Sequence, residues 1–199
     1  TRAAELGYLA ISLAYDNRQS INFEICPRKP ESCYEEARLE ILTGVESGYD
    51  PPNVDPANSA FNRLAKLLVY LDARHPQEGW GAYLSAGTPR WERIVVAGHS
   101  QGGGHAAMTA RLSETARALL FGATEPRAWT SAPFATPADR FVALAHAREP
   151  NFAGIVRSWA NIGIPGVLTN MDETPPPFFG SNRLMTATEA CAGDPTSWG

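Results

Sequence analysis

The chain has 199 residues, with 17 Lys and Arg against 21 Asp and Glu, a net charge of -4 and 44% apolar residues. That length suits one domain with a substantial core. The mixed charges include no basic run, which leaves no electrostatic footprint for nucleic acid. No apolar stretch approaches the roughly 20 residues needed to span a bilayer, and the absence of an initial Met or a leader reads as a mature form or an excerpt.

In chain order, a short helix is expected before Tyr8 to Ala14, an apolar run that reads as a strand covered on both faces, as in a parallel sheet. Cys26 and Cys33 bracket a polar, proline-bearing loop, a spacing that suits a local disulfide. Such a bridge would stabilise the fold by about 2–3 kcal/mol. It points to an oxidising compartment, hence a secreted or periplasmic protein. A pair of unlinked thiols is the alternative, and neither cysteine has the His or second Cys pair of a zinc site. Cys191 has no evident partner.

Tyr34 to Leu42 has helical spacing and Gly44 as a stop. Asp55-Pro56 reads as the cap and first residue of a helix carrying Phe61, Leu64, Leu67, Leu68 and Leu71 and ending near His75-Pro76. The aromatic, glycine-rich stretch from Gly79 to Leu84 either walls a cleft or packs as core. Ile94 to Ala97, Ala118 to Gly122, Phe141 to Ala145 and Gly166 to Thr169 read as strands, and Phe152 to Ile162 as a helix. This alternation predicts an α/β fold with a mostly parallel sheet, helices on both faces, and ligand groups at the carboxyl ends of the strands.

Gly98-His99-Ser100-Gln101-Gly102 follows the Ile94 to Ala97 run directly and leads into a small-residue helix from His105 to Leu112. A strand, a glycine-flanked serine and a helix in immediate succession have the form of a nucleophile elbow, in which the strained serine lifts its hydroxyl above the sheet edge. The motif resembles that of the α/β-hydrolase superfamily. With Tyr15-Asp16-Asn17, Trp80 and the segment from Phe141 to Glu149, it is similar to a little-characterised group of secreted α/β hydrolases.

The resemblance implies a chain order of nucleophile, acid and histidine, with the acid in the loop after the second strand beyond the elbow. That loop holds Glu149; Asp172 is the reserve, and Asp139 lies at the wrong end of its strand. The Gln101 N–H would be one oxyanion donor, with a second expected from an earlier strand upstream of Thr1. No histidine follows Glu149. His75 and His99 precede the serine, His105 falls in the helix behind it, and His146 precedes the acid. Asn182 occupies a predicted loop near the end of the pattern, but an amide accepts no proton at physiological pH. The chain therefore reads as a single, partial hydrolase domain over residues 1–199, lacking its first strands and the segment with the catalytic histidine, and inactive by itself.

The implied activity is hydrolysis of a small-molecule or lipid-like carboxylic ester through an acyl-serine, with no metal or cofactor. Lipase, thioesterase, peptidase and acyltransferase chemistry would use the same groups. The competing class is a catalytically inactive binding protein that keeps the elbow for structural reasons.

Overall fold

The computed structural model describes residues 2–189. The chain divides into two compact units, the first ending at Arg90 and the second beginning at Trp91.

The first unit opens with the expected short helix, α1 (Arg2–Glu5). The next apolar run is not a strand: residues 8–14 adopt no regular structure, and Tyr8 and Leu9 are 58% and 42% exposed. Apolar composition alone does not make a strand, because the backbone needs a neighbour to complete its ladder. A π-helical turn follows over Ile21–Ile25, where Ser20 Oγ accepts the Phe23 N–H at 3.2 Å and Glu24 accepts the Ser20 N–H at 2.6 Å.

Cys26 and Cys33 form a disulfide, with a Cα–Cα distance of 5.7 Å. Both are fully buried beside Ile21, Ile25, Ala37, Ile41 and Val54. Helix α2 (Cys33–Thr43) starts at the bridge and stops at Gly44, whose φ of 79° is left-handed. A Cβ at Gly44 would stand 2.3 Å from Pro56 Cα, so both conformation and space exclude other residues there. Buried Glu40 holds the following loop by accepting from Ser47 N at 2.8 Å, Ser47 Oγ at 2.5 Å and Val54 N at 2.9 Å.

The next helix begins later than Asp55-Pro56 suggests. Asp55 accepts the Asn58 N–H at 2.8 Å in a turn of its own, and Ser59 caps α3 (Ala60–Arg74). Trp80 is core, donating to Glu78 at 2.7 Å. The two-residue strands β1 (Leu84–Ser85) and β2 (Thr88–Pro89) close the unit as a hairpin.

The second unit is a parallel sheet of five strands: β3 (Val95–His99), β4 (Arg117–Phe121), β5 (Phe141–His146), β6 (Thr169–Asn170) and β7 (Arg183–Thr186), in the order β3-β4-β5-β7-β6. Helix α4 (Gln101–Leu112) packs on β3 and β4, and α5 (Phe152–Ile162) on β5. The chain thus has the α/β character its pattern predicts. The core comprises Met108, Leu120, Phe141, Ala143, Trp159 and Ile164, each fully buried.

The predicted last strand shrinks to Thr169–Asn170. The unforeseen β7 inserts between it and β5, bonding Ala143 through His146 to Arg183 through Thr186 in register. Asn182 therefore lies just before a strand, at the amino edge of the sheet, donating to Asp139 O at 3.0 Å.

Candidate functional site

Parallel pairing sends the carboxyl ends of β3, β4, β5, β7 and β6 to one edge of the sheet. Ser100 stands there between the last residue of β3 and the first of α4, with φ 52° and ψ -121°. Few residues other than glycine adopt this region, and holding one there costs about 1–3 kcal/mol. The surroundings enforce it. Ser100 N donates to Phe121 O at 2.8 Å, tying the turn to β4, and Gly104 N donates to Ser100 O at 3.2 Å.

The strand-to-helix crossing is too tight for side chains. A Cβ on Gly98 would stand 2.2 Å from the carbonyl carbon of Gly102, and one on Gly103 would stand 2.5 Å from Ala123 Cβ. Ala123 is itself anchored, since its carbonyl accepts the Trp159 indole N–H and neighbouring Thr124 donates to Ser158 Oγ at 2.8 Å. Ser100 is exposed, and no hydrogen bond reaches its hydroxyl among the described residues. Gln101 is the first residue of α4, next to the serine.

Glu149 lies in the turn after β5, where its N–H donates to His146 O at 3.0 Å. Its carboxylate reaches sideways to the end of β4. Oε1 is 2.9 Å, and His99 Nε2 3.3 Å, from the point where a Cβ on Gly122 would stand. Gly122 has a φ of 53°, so its backbone as well as its missing side chain suits this approach. Glu149 and His99 thus both border the Gly122 position at the end of β4, with neither a hydrogen bond nor an ion pair between them.

Asp172 follows β6, four strand positions from β3, or about 19 Å at the usual interstrand spacing. Its carboxylate accepts the Thr186 hydroxyl and the Ala187 N–H, each at 2.7 Å. The Thr186 hydrogen bond, chiefly, holds this carboxyl below its ordinary range, with the Ala187 N–H and nearby His146 adding to the effect. His146 is engaged at both ring nitrogens: Nδ1 accepts the Arg148 N–H at 3.1 Å, which puts the neutral-ring proton on Nε2, 3.1 Å from Thr188 O. His105 is buried in α4, and His75 belongs to the first unit, 3.6 Å from Glu78.

Sequence reasoning missed Thr186 and the approach of both His99 and Glu149 to Gly122. The available signal was Phe121-Gly122, a glycine at a strand end, which often marks close approach by another group. Cys191 lies outside the described residues. Within the first unit, an open cleft of about 500 Å³ is lined by Glu40, Gly44, Tyr49 and Val54 among others, and none of Ser100, Gln101 or Glu149 borders it. No cluster of three or more His, Cys, Asp or Glu is arranged for a metal ion among the described residues, and no helix among them is long and apolar enough to cross a membrane. Comparisons with protein-family models, curated proteins and solved structures find no match to this chain.

Proposed function

We propose that this chain belongs to a serine hydrolase of the α/β-hydrolase type that cleaves carboxylic esters through an acyl-serine intermediate. The observation that carries the reading is the backbone of Ser100, which is left-handed, exposed and fixed between a parallel strand and the helix that follows at once. Strain of this size in a non-glycine residue persists only where the surroundings impose it, and such residues cluster at reactive sites.

Ser100 Oγ attacks the ester carbonyl while a histidine takes its proton, and the Gln101 N–H stabilises the oxyanion. The same histidine then protonates the departing alcohol. Water, deprotonated in turn, releases the acid and restores the serine. Glu149 orients that histidine, a role supported by its reach to the end of β4. In this reading the histidine is supplied from outside residues 1–199. The buried disulfide supports a secreted or periplasmic site of action.

The competing reading, a binding protein built on an inactive hydrolase scaffold, is favoured by one observation: no base reaches the Ser100 hydroxyl among the described residues. Treating the protein purified from its own source with a fluorophosphonate and mapping the peptides separates the two. An adduct on Ser100, lost in Ser100→Ala together with hydrolysis of p-nitrophenyl acetate, is the expected result. Absence of any adduct on Ser100 overturns the hydrolase and leaves the binding protein.

A further inference from the structure

On the reading that Glu149 is the acid serving Ser100, we propose that His146 is a positioning residue: its neutral imidazole holds the turn that carries Glu149, and a second proton on the ring releases that turn. Strand β5 ends at His146, and the chain then turns toward α5. His146 receives two successive N–H groups of this turn. Its ring Nδ1 accepts from Arg148 N at 3.1 Å, and its carbonyl accepts from Glu149 N at 3.0 Å. On the other side the ring is tied to the segment after β7, where Thr188 O stands 3.1 Å from Nε2. A carbonyl only accepts, so Nε2 carries a proton; a backbone N–H only donates, so Nδ1 must keep its lone pair. Both bonds coexist only in the neutral ring. Histidine changes charge between about pH 5 and 8, and the second proton would sit on Nδ1, donor against donor with the Arg148 N–H. That bond is then lost.

The charged groups around the ring come from its own turn and from the elements beside β5. Asp172, after β6, attracts the charged ring, although its carboxylate already accepts from Thr186 and Ala187. Arg148, in the turn, pairs with Glu189 after β7, and the Glu149 carboxylate is directed to the Gly122 position. Strand β4, the other neighbour of β5, ends at uncharged Phe121, with Glu125 and Arg127 in the segment beyond it, and α5 brings the exposed Arg157. Asp172 therefore favours the doubly protonated ring, while the Arg148 N–H opposes it.

The role explains why a histidine can stand at this edge of the sheet without serving Ser100 as its base: the lone pair that would take the serine proton is occupied by Arg148.

The test uses the whole protein labelled with ¹⁵N. At about pH 8, above the ordinary range of histidine, a scalar coupling across the hydrogen bond between Arg148 N and His146 Nδ1 is expected, and it should vanish as the ring gains its second proton. His146→Leu removes the acceptor and should let the Glu149 amide exchange with solvent up to about tenfold faster at that pH, the effect of one net hydrogen bond. His146→Asn offers a side-chain oxygen to the N–H two residues on and should restore slow exchange. At about pH 5, within the range where histidine gains its charge, this variant should exchange more slowly than the wild type, because its amide does not titrate. In the activity arm at about pH 8, His146→Leu should lower kcat for p-nitrophenyl acetate about tenfold, within the range that misplacing one catalytic group produces. KM should stay within about twofold, and His146→Asn should recover most of the loss. A coupling absent from the neutral ring, or one that survives its protonation, overturns the proposal; so does an unchanged kcat in His146→Leu. If coupling and exchange behave as expected but Ser100 takes no fluorophosphonate, the hold on the turn stands and the hydrolase reading falls. Labelling of Ser100 without the coupling gives the reverse.

Discussion

Gly98→Ala is expected to be among the most damaging one-methyl changes in the second unit. The new Cβ would stand 2.2 Å from both the carbonyl carbon and oxygen of Gly102 and 2.6 Å from Gly103 N, against the roughly 3.4 Å of ordinary contact. All three atoms are backbone, so no side chain can rotate aside, and relief requires moving α4 off β3. Overpacking that side chains can absorb costs about 1–3 kcal/mol, so a clash confined to backbone belongs at or above the upper end, about 3 kcal/mol. Gly48→Ala is the control: φ is 77° and nothing lies within 4 Å of its Cβ position, so only the left-handed penalty of about 1–2 kcal/mol applies. Urea unfolding followed by circular dichroism at 222 nm reads both. Because the same displacement would move Ser100, Gly98→Ala should also slow fluorophosphonate labelling, while Gly48→Ala leaves its rate unchanged. A loss below about 1 kcal/mol in Gly98→Ala would mean that strand and helix do not cross as closely as described.

Glu149→Gln should reduce ester hydrolysis far more than Asp172→Asn, by at least about tenfold, since the former follows the strand two positions from β3 and the latter the strand four positions away; the opposite ranking in p-nitrophenyl acetate assays would transfer the acid role to Asp172. Replacing both Cys26 and Cys33 by Ser should cost about 2–3 kcal/mol in urea unfolding, and peptide mapping without reductant should recover the linked pair. Because the Asp172 carboxyl is held low, its favourable contribution is present at neutral pH and is lost only as pH falls below the ordinary carboxylate range of about 3.9. Thr186→Val removes the principal cause, and the Asp172 carboxyl, followed by ¹³C NMR, should then titrate closer to that ordinary value; an unchanged titration would show that the hydroxyl does not hold it.

The elements legible in the sequence are those whose signals are local. Helix α5 runs from Phe152 to Ile162, the bounds its apolar spacing predicts. Strands β4 and β5 emerge from runs whose Ala118, Leu120, Phe141 and Ala143 are fully buried. The sheet order was not legible, because β7 offers only Leu184 to the core and begins and ends with the polar Arg183 and Thr186, a pattern that also suits a loop. Tyr8 to Ala14 misled in the opposite direction, carrying strand composition with no ladder to join. At the candidate site, glycines at fixed offsets made the strand, serine and helix readable. The approach of both Glu149 and His99 to Gly122 depends instead on the register of three strands and on the backbone of Gly122, neither of which leaves a periodic trace.

The order β3-β4-β5-β7-β6 imposes a sequence on assembly as the chain leaves the ribosome. The first three strands can pair in the order in which they are made, each against the last. Strand β6 has no such neighbour, because the strand that separates it from β5 is synthesised after it. Until Arg183 to Thr186 emerge, residues 169–170 must wait unpaired, and the ladder edge of β5 stays open to any extended segment nearby. The serine side of the sheet would therefore be built early, while the Asp172 side would be the vulnerable period of biosynthesis, when a chaperone would have most to cover.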